Sequence, residues 1–394
     1  MLGLRALYSF GGCGNFGDDY ILDRWIDLYK SRRPDLHIIS PRKDRWLLNL
    51  YESNPLFQLM PVITEEYERA FGDITGVENQ TERAIIAGKS AAAKLKESRD
   101  YMQVLESIDA VHFLGGGYWN TFFHEAWGMA SCLSNIAQTL GVPIFGTGLG
   151  MTPAPVCNDD VLVDILSKFS FIEVRDEASF TYFTEKFSLS NFIFGLDDAF
   201  ILPPKRERSK TIQKPRLHLC IQSDLQGDVI FPQIMNTVKD IINQAGDRID
   251  ISYLKLHDEP DRKFLEEIQS QISNEIHVMH KYDILTRGLP ISSGDICITT
   301  RFHLHLLAAR LGAKGAYVHR GDAYYGVKHS SLTELGSNWA DFMGDAVDYD
   351  TLVNAPTPDL AEYDIALQKG TVVDMVFTGT RTQLQRPQTK EYRK

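Results

Sequence analysis

Short apolar runs alternate with longer stretches whose apolar residues recur at helical spacing, and this rhythm restarts once, late in the chain. Few architectures accommodate such a pattern. Residues 5–12 read as a buried strand ending in glycines. Residues 18–33 then carry Ile21, Trp25, Leu28 and Tyr29 on one helical face, with Asp18 and Asp19 in the first turn, Arg32 and Arg33 in the last, and Pro34 as a stop. Further strand-like runs fall at 36–40, 110–114, 142–146, 171–175 and 191–194, with helical stretches such as 83–106 and 122–140 between them. Alternating strands and helices with short, fully apolar strands predict a parallel sheet covered on both faces.

Residues 203–216, PPKRERSKTIQKPR, interrupt the rhythm; rich in proline and basic residues, they read as an exposed linker. Strand patterns then resume at 217–222, 249–256, 276–280, 296–300 and 316–319, with helices expected at 229–245, 260–273 and 302–311. The expected division is an α/β domain over 1–202, the linker 203–216, a second α/β domain over 217–377 and a polar tail over 378–394. At 394 residues the chain is long enough for two to three domains. Two doubly wound halves on one linker imply domains facing across a cleft, with ligands beyond the carboxyl ends of the strands.

Composition narrows the function classes. A formal net charge of −11 argues against a general nucleic-acid binder, whose surface needs an excess of Lys and Arg. It leaves room for an anionic substrate, which requires positive charge only inside one site. The five cysteines (Cys13, Cys132, Cys157, Cys220 and Cys297) form no C-x-x-C, which excludes a zinc ribbon and argues against a disulfide framework. No apolar run reaches the ~18 residues of a membrane helix. The expectation is a cytoplasmic protein with reduced thiols and no bound metal.

Five strand ends carry groups that a plain turn does not require. In GGCGNFGDD (11–19), glycines can bring backbone close to a ligand at a helix N-terminus, with Asn15 and Asp18 as binding residues; the alternative is a turn capped by Asn15 or Asp18. In FLGGGYW (113–119), Gly115, Gly116 and Gly117 can cradle a phosphate or sugar, or can simply let a helix pack closely on the sheet. FGTGLGMTP (145–153) is a similar case. In FIEVRDEASF (171–180), Asp176 is placed as the N-cap, and Arg175 is either a fork for a carboxylate or phosphate or the partner of a nearby acid. In ICITTRFHLHLLAARLG (296–312), Arg301 and His303 open a helix whose apolar stripe is Leu304, Leu307, Ala308 and Leu311. The arginine can hold an anion while the histidine exchanges protons near neutrality. His305 lies about 200° away around that helix and reads as structural. Trp119, Phe122, Phe123, His124 and Trp127 are either sugar platforms or a buried helix face.

Taken in order, G-x-x-N-x-G-D at 12–18, G-G-G at 115–117, G-x-G-x-G at 146–150, V-R-D-x-x-S at 174–179, an Asp near Phe200, R-x-H at 301–303 and a later lysine, Lys328, resemble the polysaccharide pyruvyl transferase family. The resemblance implies a GT-B-like pair of Rossmann-like domains with the active site between them. It implies phosphoenolpyruvate as donor, with no cofactor, and a sugar or glycan-lipid acceptor that takes up a pyruvate ketal, on a cytoplasmic protein compatible with a peripheral place on a membrane glycan-assembly complex. It also implies His303 as general acid, with Arg301 and Arg175 on the donor. Two other readings of the same scaffold are a GT-B glycosyltransferase using a nucleotide sugar and a non-catalytic sugar- or phosphate-binding protein.

Overall fold

The computed structural model describes residues 4–8, 14–41, 57–207, 214–223, 227–319 and 325–379. Gly11, Gly12, Cys13, the middle of the linker, residues 320–324 and the tail from residue 380 lie outside them. Among the described residues the chain divides into two compact units. The first runs to Leu202 and resumes at Ile365; the second comprises Gly14–Tyr20 and Pro203–Asp364.

The first unit is built on seven parallel strands: β1 (Leu4–Tyr8), β2 (His37–Ser40), β3 (Phe57–Leu59), β4 (Ile108–Phe113), β5 (Ile144–Leu149), β6 (Phe171–Val174) and β7 (Phe192–Phe194). Their order is β3-β2-β1-β4-β5-β6-β7. Every residue of β5 and β6 is buried, as expected of strands covered on both faces. The order reverses between β1 and β4, so the crevice of a doubly wound sheet opens beyond the carboxyl ends of those two strands.

Helices Gln80–Glu97 and His124–Leu140 cross closely on one face. A β-carbon on Gly88 would lie 2.1 Å from the Gly128 carbonyl oxygen, and the Ser131 hydroxyl donates to the Ile85 carbonyl at 2.8 Å. Only glycine permits that approach. The single helix expected over 83–106 is two, because Ser98 is extended (φ −86°, ψ 116°) and caps a second helix, Arg99–Leu105. β3 and helix Val62–Asp73 lacked a recognisable signal, β3 having only three residues.

The second unit holds six parallel strands: β8 (Arg216–Cys220), β9 (Asp250–Lys255), β10 (Ile276–His280), β11 (Ile296–Thr299), β12 (Lys314–Tyr317) and β13 (Ala340–Asp341), in the order β10-β9-β8-β11-β12-β13. Leu217, Leu219, Ile251, Tyr253, Phe264 and Ile298 lie at its core. Here the order reverses between β8 and β11. The chain divides between Leu202 and Pro203, with Gly14–Tyr20 in the second unit and the residues from Ile365 in the first, where the sequence reading puts each in the other domain. Helix Glu362–Thr378 belongs to the first unit from Ile365 onward, because its Lys369 is buried against Glu173 and Asp198. Among the described residues no helix is long and apolar enough to cross a membrane.

Candidate active-site residues in each unit

In the second unit, Arg301 and His303 follow β11 directly, at the sheet's reversal point. Thr299 and Thr300 shape that point: the Arg301 N–H donates to the Thr299 hydroxyl and the Gln222 N–H to that of Thr300, both at 2.9 Å. Arg301 is the N-cap of helix Phe302–Arg310, and its guanidinium donates to Asp261 Oδ1 at 2.5 Å. Asp261 is fully buried. Its other oxygen accepts the N–H groups of Leu256 and His257, at 2.9 and 2.7 Å. One carboxylate therefore fixes both the arginine and the loop beyond β9. A guanidinium with one edge so clamped is a rigid fork for an anion.

Residues Gly14–Tyr20 join this cluster. A β-carbon on Gly17 would lie 1.8 Å from Nδ1 of His303, so the helix start and the imidazole are in direct contact. Gly14, at φ +91°, faces His257 and the Lys281 ammonium, both 3.7 Å from where its β-carbon would stand. Lys281 in turn lies 3.7 Å from Asp19. Asn15 and Asp18 are brought together: the Asn15 amide donates to Asp18 at 2.7 Å and accepts the Gly17 N–H at 3.2 Å. Asn15 thus caps this helix, the plainer of its two expected uses. Lys328 lies half-buried on helix Tyr325–Glu334, beside His329.

His305 and His329 are fully buried, with their Nδ1 atoms 3.0 Å apart, and His305 also meets Ser337 at 2.9 Å. His305 stacks on Trp339 and Tyr317. Burial pushes both imidazoles down, His305 well below the usual range with His329 adding to the effect, and His329 to about 3 with His319 as its next-largest cause. Both are neutral packing groups at pH 7, which agrees with a structural His305.

In the first unit, Arg175 follows β6 and is buried, with its guanidinium on Asp197. Asp176 caps helix Glu177–Phe187 through the Ser179 N–H, as its spacing predicted. The glycine turns beyond β4 and β5 lie against this arginine: a β-carbon on Gly150 would come within 3.0 Å of its guanidinium, and Gly150 N–H donates to the Gly116 carbonyl at 2.9 Å.

The expectation that Gly115 and Gly116 offer N–H groups to a ligand is corrected here. Gly115 N–H donates to Asp198 at 2.7 Å and Gly116 N–H to the Gly148 carbonyl at 3.4 Å, so these groups are engaged within the protein. The glycines are needed because a β-carbon at Gly115 would lie 2.8 Å from that of Asp198. Gly117 accepts a hydrogen bond from the Asn120 amide at 2.8 Å. The aromatics beyond divide: Trp119 and Trp127 are core, while Phe122 is 62% exposed.

Asp261, His257 and Lys281 escaped the sequence reading. Each matters through a partner distant in sequence or in a loop without regular spacing. Among the described residues no group of three or more His, Cys, Asp or Glu side chains is placed to hold a metal.

Comparison with known proteins follows this layout. Across nearly its whole length the chain is similar in structure to a protein from Listeria monocytogenes described as a UDP-N-acetylglucosamine 2-epimerase (8% identity, TM-score 0.58, covering 96% of this chain and 98% of the other). It is similar also to the UDP-GlcNAc 2-epimerase of Neisseria meningitidis bound to UDP-GlcNAc (11%, 0.52, 96% and 100%) and to that of Methanocaldococcus jannaschii (12%, 0.54, 96% and 100%). At such identities the likeness shows the fold, two Rossmann-like sets of GT-B type, and not the chemistry. No curated protein matches in sequence. A profile of the family described as polysaccharide pyruvyl transferase matches residues 15–318, spanning the Asn15 cap, the glycine turns, Arg175 and the Arg301–His303 pair. By that match, this chain belongs to the polysaccharide pyruvyl transferase family.

Proposed function

We propose that the chain transfers the enolpyruvyl group of phosphoenolpyruvate onto two hydroxyls of a sugar residue, leaving a pyruvate ketal on a glycan or glycan-lipid. The observation that carries this reading is the Arg301–His303 pair at the reversal point of the second sheet, with the guanidinium fixed by Asp261 and the imidazole seated on Gly17.

The donor carries a carboxylate and a phosphate. Arg301 and Arg175, each held by a buried aspartate, are the guanidinium groups proposed to take them. His303 delivers a proton to the methylene carbon, which becomes the methyl group. The adjacent carbon gains oxocarbenium character, one sugar hydroxyl attacks it and gives up its proton, and inorganic phosphate leaves with the former enol oxygen. A second hydroxyl then closes the ring and releases a proton. Donor and diol alone balance to ketal and phosphate, so no cofactor is invoked. Proton transfer by a positioned imidazole is work worth roughly 10²–10⁴-fold in rate. The proposal places the enzyme in the cytoplasm, with its acceptor presented on a soluble or membrane-bound glycan.

The test is incubation with phosphoenolpyruvate and a panel of galactosides, glucosides and mannosamine glycosides, followed by mass spectrometry of the sugars for added pyruvate. Phosphate release without ketal, or calorimetric binding of a nucleoside diphosphate without phosphoenolpyruvate, would move the assignment to another reaction. A His303→Ala enzyme that keeps the wild-type rate would remove the acid role.

A further inference from the structure

Three charged side chains lie together in the first unit where the fold is driest. Lys369, Glu173 and Asp198 are each at most 1% exposed. The Lys369 ammonium donates to Glu173 Oε2 at 2.5 Å and to the Leu196 carbonyl at 2.8 Å, and stands 2.7 Å from Asp198 Oδ1. Two hydrogen-bond acceptors and one ion-paired carboxylate oxygen thus surround it. Burial alone would push this ammonium down, but Asp198 and Glu173 hold it above the usual lysine range. Burial pushes the Glu173 carboxyl up, against the pull of Lys369.

The far sides of the two carboxylates do different work. Asp198 Oδ2 accepts from the Trp25 indole at 2.8 Å, and from Gly115 N–H and the Thr147 hydroxyl at 2.7 Å each. Glu173 accepts the N–H groups of Gly148 and Leu196, both at 3.0 Å. Gly115, two residues past β4, and Gly148, near the carboxyl end of β5, therefore hang on carboxylates that one ammonium holds. Asp197, the residue before Asp198, takes Arg175. The interlock is steric as well: a β-carbon on Gly148 would lie 2.6 Å from the Asp198 nitrogen.

Buried charge of this kind is a poor way to gain stability, since an apolar cluster of equal volume does as well or better. What it does here is fix the backbone at strand ends, against which the Arg175 guanidinium lies. We propose that Lys369, acting through Asp198 and Glu173, is a positioning residue that sets the two glycine turns and Arg175 in the geometry required to bind the anionic donor. The ligand part of this inference rests on the function proposed above; the geometric part does not.

Asp198→Asn is the decisive variant. It keeps the volume and leaves Lys369 and Glu173 as a balanced pair, but whichever way the amide turns, its NH₂ faces either the ammonium or the three donors. The expected result is a cooperatively folded protein in which amide exchange, read by mass spectrometry, quickens at least tenfold over 114–118 and 147–150 while β4 and residues 144–146 of β5 stay protected. Phosphoenolpyruvate and inorganic phosphate should each bind at least tenfold more weakly, with KM for the donor rising more than kcat falls. Lys369→Met should show the same local loosening. Unchanged exchange at both turns in Asp198→Asn would overturn the inference. So would looser turns with wild-type affinity in an enzyme whose wild type binds phosphoenolpyruvate. A wild type that binds neither anion would instead overturn the proposed function, and the exchange result would still decide the geometric part.

Discussion

Gly17→Ala puts one methyl group where the fold leaves none. Gly17 is in the first turn of helix Phe16–Arg32, where alanine is ordinarily the better helix former by up to about 1 kcal/mol. On propensity alone the variant should be as stable as wild type or slightly more so. The added β-carbon would, however, stand 1.8 Å from Nδ1 of His303, 2.5 Å from Cε1 and 2.6 Å from Cγ. Ordinary contact between such atoms begins near 3.4 Å, so the imidazole has to withdraw by roughly 1.6 Å. Rotation of the His303 side chain away from the helix start is the main relief. A displacement of about 1 Å at a reacting group can cost on the order of 10²-fold in rate. We expect kcat to fall by about that factor, with an unchanged or raised melting temperature, in an assay of phosphate release from phosphoenolpyruvate using the acceptor found in the sugar screen. Gly72→Ala, where a β-carbon would meet nothing within 4 Å, is the control and should keep the wild-type rate. A Gly17→Ala enzyme with wild-type kcat would refute the placing of His303 as the proton donor.

Other expectations follow from the same contacts. Asp261→Asn weakens the clamp on Arg301 and the cap on the loop beyond β9, so donor affinity should drop roughly tenfold or more by calorimetry; unchanged affinity would show that the clamp is irrelevant to binding. Arg175→Lys keeps the charge but loses the planar fork, and KM for the donor should rise roughly ten- to a hundredfold, whereas an unaltered KM would remove Arg175 from the site. For pH, the folded pKa of His329 lies near 3 against about 6.5 in the unfolded chain. Between these values the unfolded chain binds the additional proton. The contribution of His329 is therefore complete above pH 6.5 and is lost as pH falls, at up to about 1.4 kcal/mol per unit. Melting of the second unit followed from pH 7 to pH 4 should show that decline, and a flat profile would contradict it.

The elements that organise the fold were readable because they are local. The Asn15 cap, the Asp176 cap and the strand feeding Arg301 each announce themselves within a few residues, through apolar spacing or a capping side chain. The break in the rhythm at 203 was visible through prolines and charges, although the return of the chain to the first unit was not. Helix Glu362–Thr378 carries no mark in its own sequence that its Lys369 will meet Glu173, 196 residues earlier. The same limit hid Asp261, which fixes Arg301 from 40 residues away. The glycine turns misled for a different reason. Glycine is required equally where backbone must meet a ligand and where it must admit a buried side chain, and only the position of Asp198 tells the two apart.

The late arrival of Lys369 has a consequence for how the protein is made. A ribosome adding roughly 5 to 20 residues each second needs about 10 to 40 seconds to pass from the codon for Glu173 to that for Lys369. Throughout that interval the nascent first sheet has Glu173 and Asp198 without their counter-ion, and it is completed only once Lys369 has emerged. A product cut short before Lys369 would expose the very turns that the completed first unit holds still.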